Sequence, residues 1–151
     1  MRDELHVSEQ HVPKCVYVQV PDEEAIFSCK ATTQKLMDEI NEQINDYKTD
    51  LENYTSILNE CKEKQALIES NIADLKTMQR ELESAKLNVD LQSDINALQS
   101  AKESNTALIN EYEDKINITN ENIENAKKAY TNAETELSRC GRFTKTVMQC
   151  Y

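Results

Sequence analysis

The only glycine in this chain is Gly141, and the only prolines are Pro13 and Pro21. From Asp22 to Cys140 the sequence therefore lacks both residue types that most reliably end a helix. Such a run calls for long helices that stay long. The apolar content of 38% and the absence of Trp suit helices that each bury one narrow stripe.

A heptad repeat can be counted from Met37, with a and d as the core positions. Met37, Ile40, Ile44, Tyr47, Leu51, Tyr54, Leu58 and Cys61 alternate by three and four. The series continues through Gln65, Ile68, Ile72, Leu75, Gln79 and Leu82 to Lys86 and Val89. A second series runs Leu91, Ile95, Leu98, Lys102, Asn105, Ile109, Tyr112 and Ile116, then Thr119, Ile123, Ala126, Tyr130, Ala133, Leu137 and Cys140. The two are out of phase, because Val89 and Leu91 both claim a d position. Insertions that coiled coils absorb shift the phase by three or four residues, not two. A turn explains the break: Lys86 suits a last helical turn, Asn88 a left-handed C-terminal residue and Asp90 an N-cap.

The expected fold is all-α: a long, coiled-coil-like antiparallel helical hairpin. Residues 1–22 form a short extended N-terminal segment, 23–140 the hairpin with its turn near 88–90, and 141–151 a tail packed at the hairpin base. This is one domain. The segment Cys15–Val20 is β-branched and aromatic between its two prolines, and Asp22 or Pro21 opens the first helix. With the turn at 88–89, facing residue numbers add to about 177. That sum sets Leu82 against Ile95, Ile68 against Ile109, Cys61 against Ile116, Tyr54 against Ile123, Tyr47 against Tyr130 and Ile40 against Leu137. Leu36, Ile57, Met78 and Leu108, at g positions, widen the stripe. A homodimer forming a four-helix bundle would cover them. So would a three-helix fold with a further break at Lys102–Thr106. Polar core positions Gln65, Gln79, Lys102 and Asn105 either fix the register or mark where the hairpin flexes or binds.

The fold-back brings the terminal cysteines together. Two disulfides are expected among Cys15, Cys29, Cys140 and Cys150. Cys29–Cys150 with Cys15–Cys140 is the first pairing, and Cys29–Cys140 with Cys15–Cys150 the other; sequence does not choose between them. Cys61, the odd cysteine, is a buried free thiol or an intermolecular bridge. Asn53-Tyr54-Thr55 and Asn117-Ile118-Thr119 are N-glycosylation sequons, and both asparagines fall at outward positions.

The net charge of −11 argues against nucleic acid or an anionic membrane as partner. No stretch is apolar enough to span a membrane. Met1-Arg2-Asp3-Glu4 is too polar for a signal peptide, so the chain reads as cytoplasmic or as a mature secreted protein. The cysteines and sequons favour secretion. His6 and His11 match no structural zinc spacing. The carboxylate pairs belong to solvated helix faces, and no phosphate loop or catalytic triad is present. No enzyme activity, cofactor or metal is expected.

In general character the chain resembles the small, helical, cysteine-stapled secreted proteins found in the saliva of blood-feeding insects. The resemblance rests on Cys15, Cys29, Cys140 and Cys150 at the ends and on the acidic, Asn-rich helices. It carries no site residue. It implies a role in binding a host immune or haemostatic factor. The leading expectation is a secreted, non-enzymatic interaction protein acting on a protein partner through an elongated helical surface. A structural coiled-coil rod or dimerisation spacer is the alternative, and a helical bundle carrying a small ligand is a third.

Overall fold

A computed structural model describes residues 12–151; His6 and His11 lie outside them. In chain order the elements are β1 (Cys15–Pro21), α1 (Glu23–Ser84), α2 (Gln92–Arg139), a 3-10 turn at Cys140–Arg142 and β2 (Thr144–Cys150). The two long helices pack antiparallel as a hairpin. The chain divides into two compact units, Met1–Glu39 with Ala129–Tyr151, and Ile40–Lys128. The three-helix alternative is excluded, since α2 runs unbroken through Lys102–Thr106.

In the first unit, Asp22 starts α1 from its N-cap position. Its carboxylate accepts from the Ala25 amide at 3.1 Å, and its carbonyl accepts from the Ile26 amide. Glu23 and Glu24 follow in the first turn, where negative charge meets the positive end of the helix dipole. The expected tail is in fact a strand. β2 pairs antiparallel with β1 along its whole length, from Cys15 opposite Cys150 to Pro21 opposite Thr144. Lys14 and Tyr151 extend the ladder with two further bonds.

This pairing decides the disulfides. Cys15 bonds Cys150, and Cys29 bonds Cys140. The first expected pairing, Cys29–Cys150 with Cys15–Cys140, is therefore corrected. It assumed that residues after Cys140 continue down α1 at helical rise. A strand climbs at about 3.3 Å per residue rather than about 1.5 Å, and its ladder holds Cys150 on β1. Cys140, where α2 stops, is left opposite Cys29, with 5.6 Å between Cα atoms. Met37, Ala133 and Cys140 are the buried apolar residues of this unit. Gly141 keeps a negative φ, so it ends α2 without the left-handed turn.

The second unit holds most of the counted seam. Every a and d position from Ile40 to Leu82 and from Leu91 to Ala126 is buried or half-buried. The register differs from the expected one. Gln65 meets Asn105 and Thr106, Glu69 meets Lys102, and Tyr54 meets Tyr112. Facing numbers add to about 170, one heptad below the expected 177. The pairing of Cys61 with Ile116 and of Tyr54 with Ile123 is corrected accordingly. The reason is the polar layer. Asn105 is 2% exposed, and its Nδ2 donates to the Cys61 carbonyl at 2.7 Å and to Gln65 Oε1 at 2.8 Å. The expected register would have set Asn105 against Ile72, leaving its buried amide with no hydrogen-bond partner, and Gln65 against Tyr112. Sliding by seven residues keeps a opposite d and brings the two amides together. Ile57 is half-buried as expected, but Met78 and Leu108, like Leu36 in the first unit, are exposed.

The turn occupies residues 85–91 and so includes the expected 88–90, but its left-handed residue differs. α1 ends at Ser84, and Lys86 takes the left-handed conformation, at φ 57°, in place of Asn88. The Leu87 amide donates to the Leu82 carbonyl and the Lys86 amide to the Glu83 carbonyl. These are the two bonds of a Schellman motif. Gln79 spans the turn: its Nε2 donates to the Val89 carbonyl at 3.1 Å, and its Oε1 accepts from the Leu91 amide at 2.7 Å. Asp90 receives the Gln92 amide at 2.8 Å, as suits a residue at the start of α2. A lysine in the left-handed region carries a Cβ penalty that glycine escapes. Lys86→Gly is expected to raise stability by about 0.5–1 kcal/mol, read as a higher urea midpoint at unchanged m. A lower midpoint would contradict this account of the turn.

Candidate functional site

Charge is unevenly distributed along the chain. Residues 12–21 contain Lys14 and no acid; residues 139–151 contain Arg139, Arg142 and Lys145 and no acid. These two segments are the strands of the sheet and the link into β2. Among the described residues the acids lie on the helices, at the Asp22 cap and at Asp90 before α2. The sheet is thus a basic element in a protein of net charge −11. Arg139 pairs with Glu136 at 3.3 Å. Lys14, Arg142 and Lys145 have no ion pair among the described residues.

Side chains alternate across the ribbon. Cys15 with Cys150, Tyr17 with Met148, and Gln19 with Thr146 share one face. Val18, Val20 and Val147 share the other and are half-buried. The first face is open: Tyr17 is 77% exposed and Met148 59%. Gln19 Nε2 donates to Thr146 Oγ1 at 2.6 Å beside them. Phe27, on the first turns of α1, and Tyr151 are also largely exposed. Each strand has a single partner, so each keeps one unpaired edge among the described residues.

A two-stranded ribbon is marginal alone, and here the Cys15–Cys150 bridge closes its end. The other end is tied by the Asp22 amide, which donates to the Phe143 carbonyl at 2.9 Å. The result is exposed Tyr and Met side chains on a backbone fixed at both ends. Aromatic residues, Met and Arg are the types that interfaces favour, and a rigid base lowers the entropy lost on binding.

The other singled-out residues fall elsewhere. Cys61 is a free thiol buried in the seam of the second unit, so an intermolecular bridge would require that seam to open. Asn53 and Asn117 are exposed on α1 and α2 of the same unit. Two open depressions lie on α2. One, of about 560 Å³, is lined by Gln99, Lys102, Glu103 and Thr106. The other, of about 440 Å³, is lined by Asn120, Glu121, Glu124, Asn125 and Lys128. In the first, the Thr106 hydroxyl donates to the Lys102 carbonyl. Among the described residues no group of three or more His, Cys, Asp or Glu side chains is placed to hold a metal ion, and no helix is long and apolar enough to cross a membrane.

No protein-family model, curated protein or solved structure matches the chain. The sequence locates the extended segment at Cys15–Val20 but not this ribbon, which exists only once Thr144–Cys150 pairs with it. One signal was available. Thr144–Cys150 has the same β-branched character as Cys15–Val20, and neither segment contains an acid.

Proposed function

We propose that this is a secreted, non-enzymatic interaction protein whose binding surface is the disulfide-held sheet, and that its partner is an acidic protein surface. One observation carries the reading: Tyr17 and Met148 stand exposed on a covalently closed ribbon whose charged residues are all cations. Lys14 and Lys145 alternate onto the other face of the ribbon, and Arg142 lies in the link into β2. They would draw an acidic partner to the sheet by longer-range attraction, and the helices of net negative charge would repel it elsewhere. This moves the binding surface from the helices, where composition placed it, to the sheet. The two disulfides support a secreted location, since such bridges persist in oxidising compartments.

The test uses two immobilised peptides, one rich in Asp and Glu with an aromatic residue, the other its Lys-substituted counterpart. The protein should bind the acidic peptide, and the affinity should fall as salt rises. Tyr17→Ala with Met148→Ala should weaken binding about 30-fold or more if the two act as hot spots, with little change in melting temperature. Lys14→Glu with Lys145→Glu should weaken it and remove most of its salt dependence. Equal binding by all variants would overturn the assignment. Binding only to the basic peptide would move the surface to the acidic helices. Self-association lost with the same variants would identify the acidic partner as a second copy of this chain.

A further inference from the structure

The register of the second unit bears on the two sequons. Tyr54, next to Asn53, packs on Tyr112 with ring centroids 6.0 Å apart. Lys115, two residues before Asn117, stands over the Tyr54 ring at 5.6 Å. Asn53 and Asn117 therefore lie at the same level of the helix pair, and their numbers add to the 170 that describes the polar layer. Under the expected register they would have been a heptad apart.

Their flanks differ. Asn53 occupies a c position, next to the g flank of α1. Asn117 occupies a b position, next to the e flank of α2. In an antiparallel pair g meets g and e meets e, so the two asparagines project from opposite flanks. Both are exposed, and neither side chain makes a hydrogen bond among the described residues. The sequon hydroxyls are engaged. Thr55 Oγ1 donates to the Leu51 carbonyl at 2.7 Å, and Thr119 Oγ1 to the Lys115 carbonyl at 2.7 Å. Thr119 is also buried, 6% exposed.

We propose that Asn53 and Asn117 both carry N-linked glycans, added before the helices close, which form a collar at one level of the second unit. The inference rests on the secreted reading above. In the transfer, Asn Nδ2 bonds to the anomeric carbon of an oligosaccharide carried on a polyprenyl pyrophosphate. The bond from that carbon to the pyrophosphate oxygen breaks, polyprenyl pyrophosphate leaves, and the amide proton passes to a base of the transferase. The folded hairpin is a poor acceptor, because both hydroxyls are held by helix carbonyls and one is buried. Glycans on opposite flanks at one level are bulky and hydrated. They would exclude a second hairpin from packing side by side at that level, which a four-helix homodimer requires.

The experiment expresses the chain behind a secretory leader in a eukaryotic host and measures intact mass with and without an amide-cleaving glycosidase. Two glycosidase-sensitive mass steps are expected, one lost in Asn53→Gln and the other in Asn117→Gln. Unglycosylated protein folded beforehand should gain no glycan from the transferase and its lipid-linked donor. The secreted glycoprotein should sediment as a monomer or self-associate without lysine crosslinks between Lys48 or Lys115 of two copies. Exported protein with both disulfides formed but no glycan would overturn the collar and leave the secreted reading standing. Chain retained in the cell with free thiols would overturn both. A glycosylated dimer crosslinked through Lys48 or Lys115 would refute the exclusion.

Discussion

Removing both disulfides, by Cys15→Ser with Cys29→Ser or by full reduction, is expected to cost about 8 kcal/mol, which would unfold most chains of this size. The two bridges close loops with sequence separations of 135 and 111 residues. One bridge alone restrains the unfolded chain by about 4.8 kcal/mol in the chain-entropy account. The second then closes only a small ring, made of residues 15–29 and 140–150, worth about 3 kcal/mol more. Loss of either bridge with the other intact should therefore cost about 3 kcal/mol, and loss of both more than twice that. Thermal melts of Cys29→Ser with Cys140→Ser, of Cys15→Ser with Cys150→Ser, and of the reduced wild type give the comparison. If both single-bridge variants melt with the oxidised wild type, the sheet is not held by its disulfides and the rigid binding surface is lost with them.

The second large effect concerns the polar layer. Asn105→Ala alone should destabilise by about 2 kcal/mol, because it leaves Gln65 without its donor and opens a gap in the seam. Replacing Gln65 and Asn105 together by leucine should do the opposite and raise stability by about 1–3 kcal/mol. Asn105 Oδ1 is a buried acceptor with no partner, and its removal relieves that cost. The double variant should also lose its unique register. Cys61 gives the readout. With Ile109→Cys it should form a disulfide in the native register, and with Ile116→Cys only in the register one heptad away. The native layer should permit the first bridge and not the second; the double leucine variant should permit both. A double variant that forms only the first bridge would show that the turn, through Gln79, holds the register without Asn105.

The accuracy of the heptad count and the error in its register share one cause. Each a and d position follows from local periodicity, and burial of Ile40, Ile68, Ile95 and Ile123 agrees with the count. A period of seven is unchanged by a shift of seven, so the apolar residues fit the registers at 170 and 177 equally. Polar contacts tell them apart, chiefly Asn105 with Gln65 and also Gln79 with Leu91, and a polar residue read singly looks like a flaw in the seam. The left-handed residue of the turn differs for a similar reason. Lysine is a poor left-handed residue, so Asn88 was the better choice on propensity. The Schellman bonds from Leu87 and Lys86 place the left-handed residue at Lys86 instead.

The amino-acid sequence by itself determined two long helices, their apolar stripes and the break between them, because these depend on residues near one another in the chain; the fold-back that this break implies is what gathers the four terminal cysteines. Tertiary structure alone decided which cysteines pair, which register the helices adopt and that both sequons share a level. Each depends on residues distant in sequence. The antiparallel ladder of β1 and β2 settles the first, and the hydrogen bonds of Asn105 to Gln65 and Cys61 settle the others.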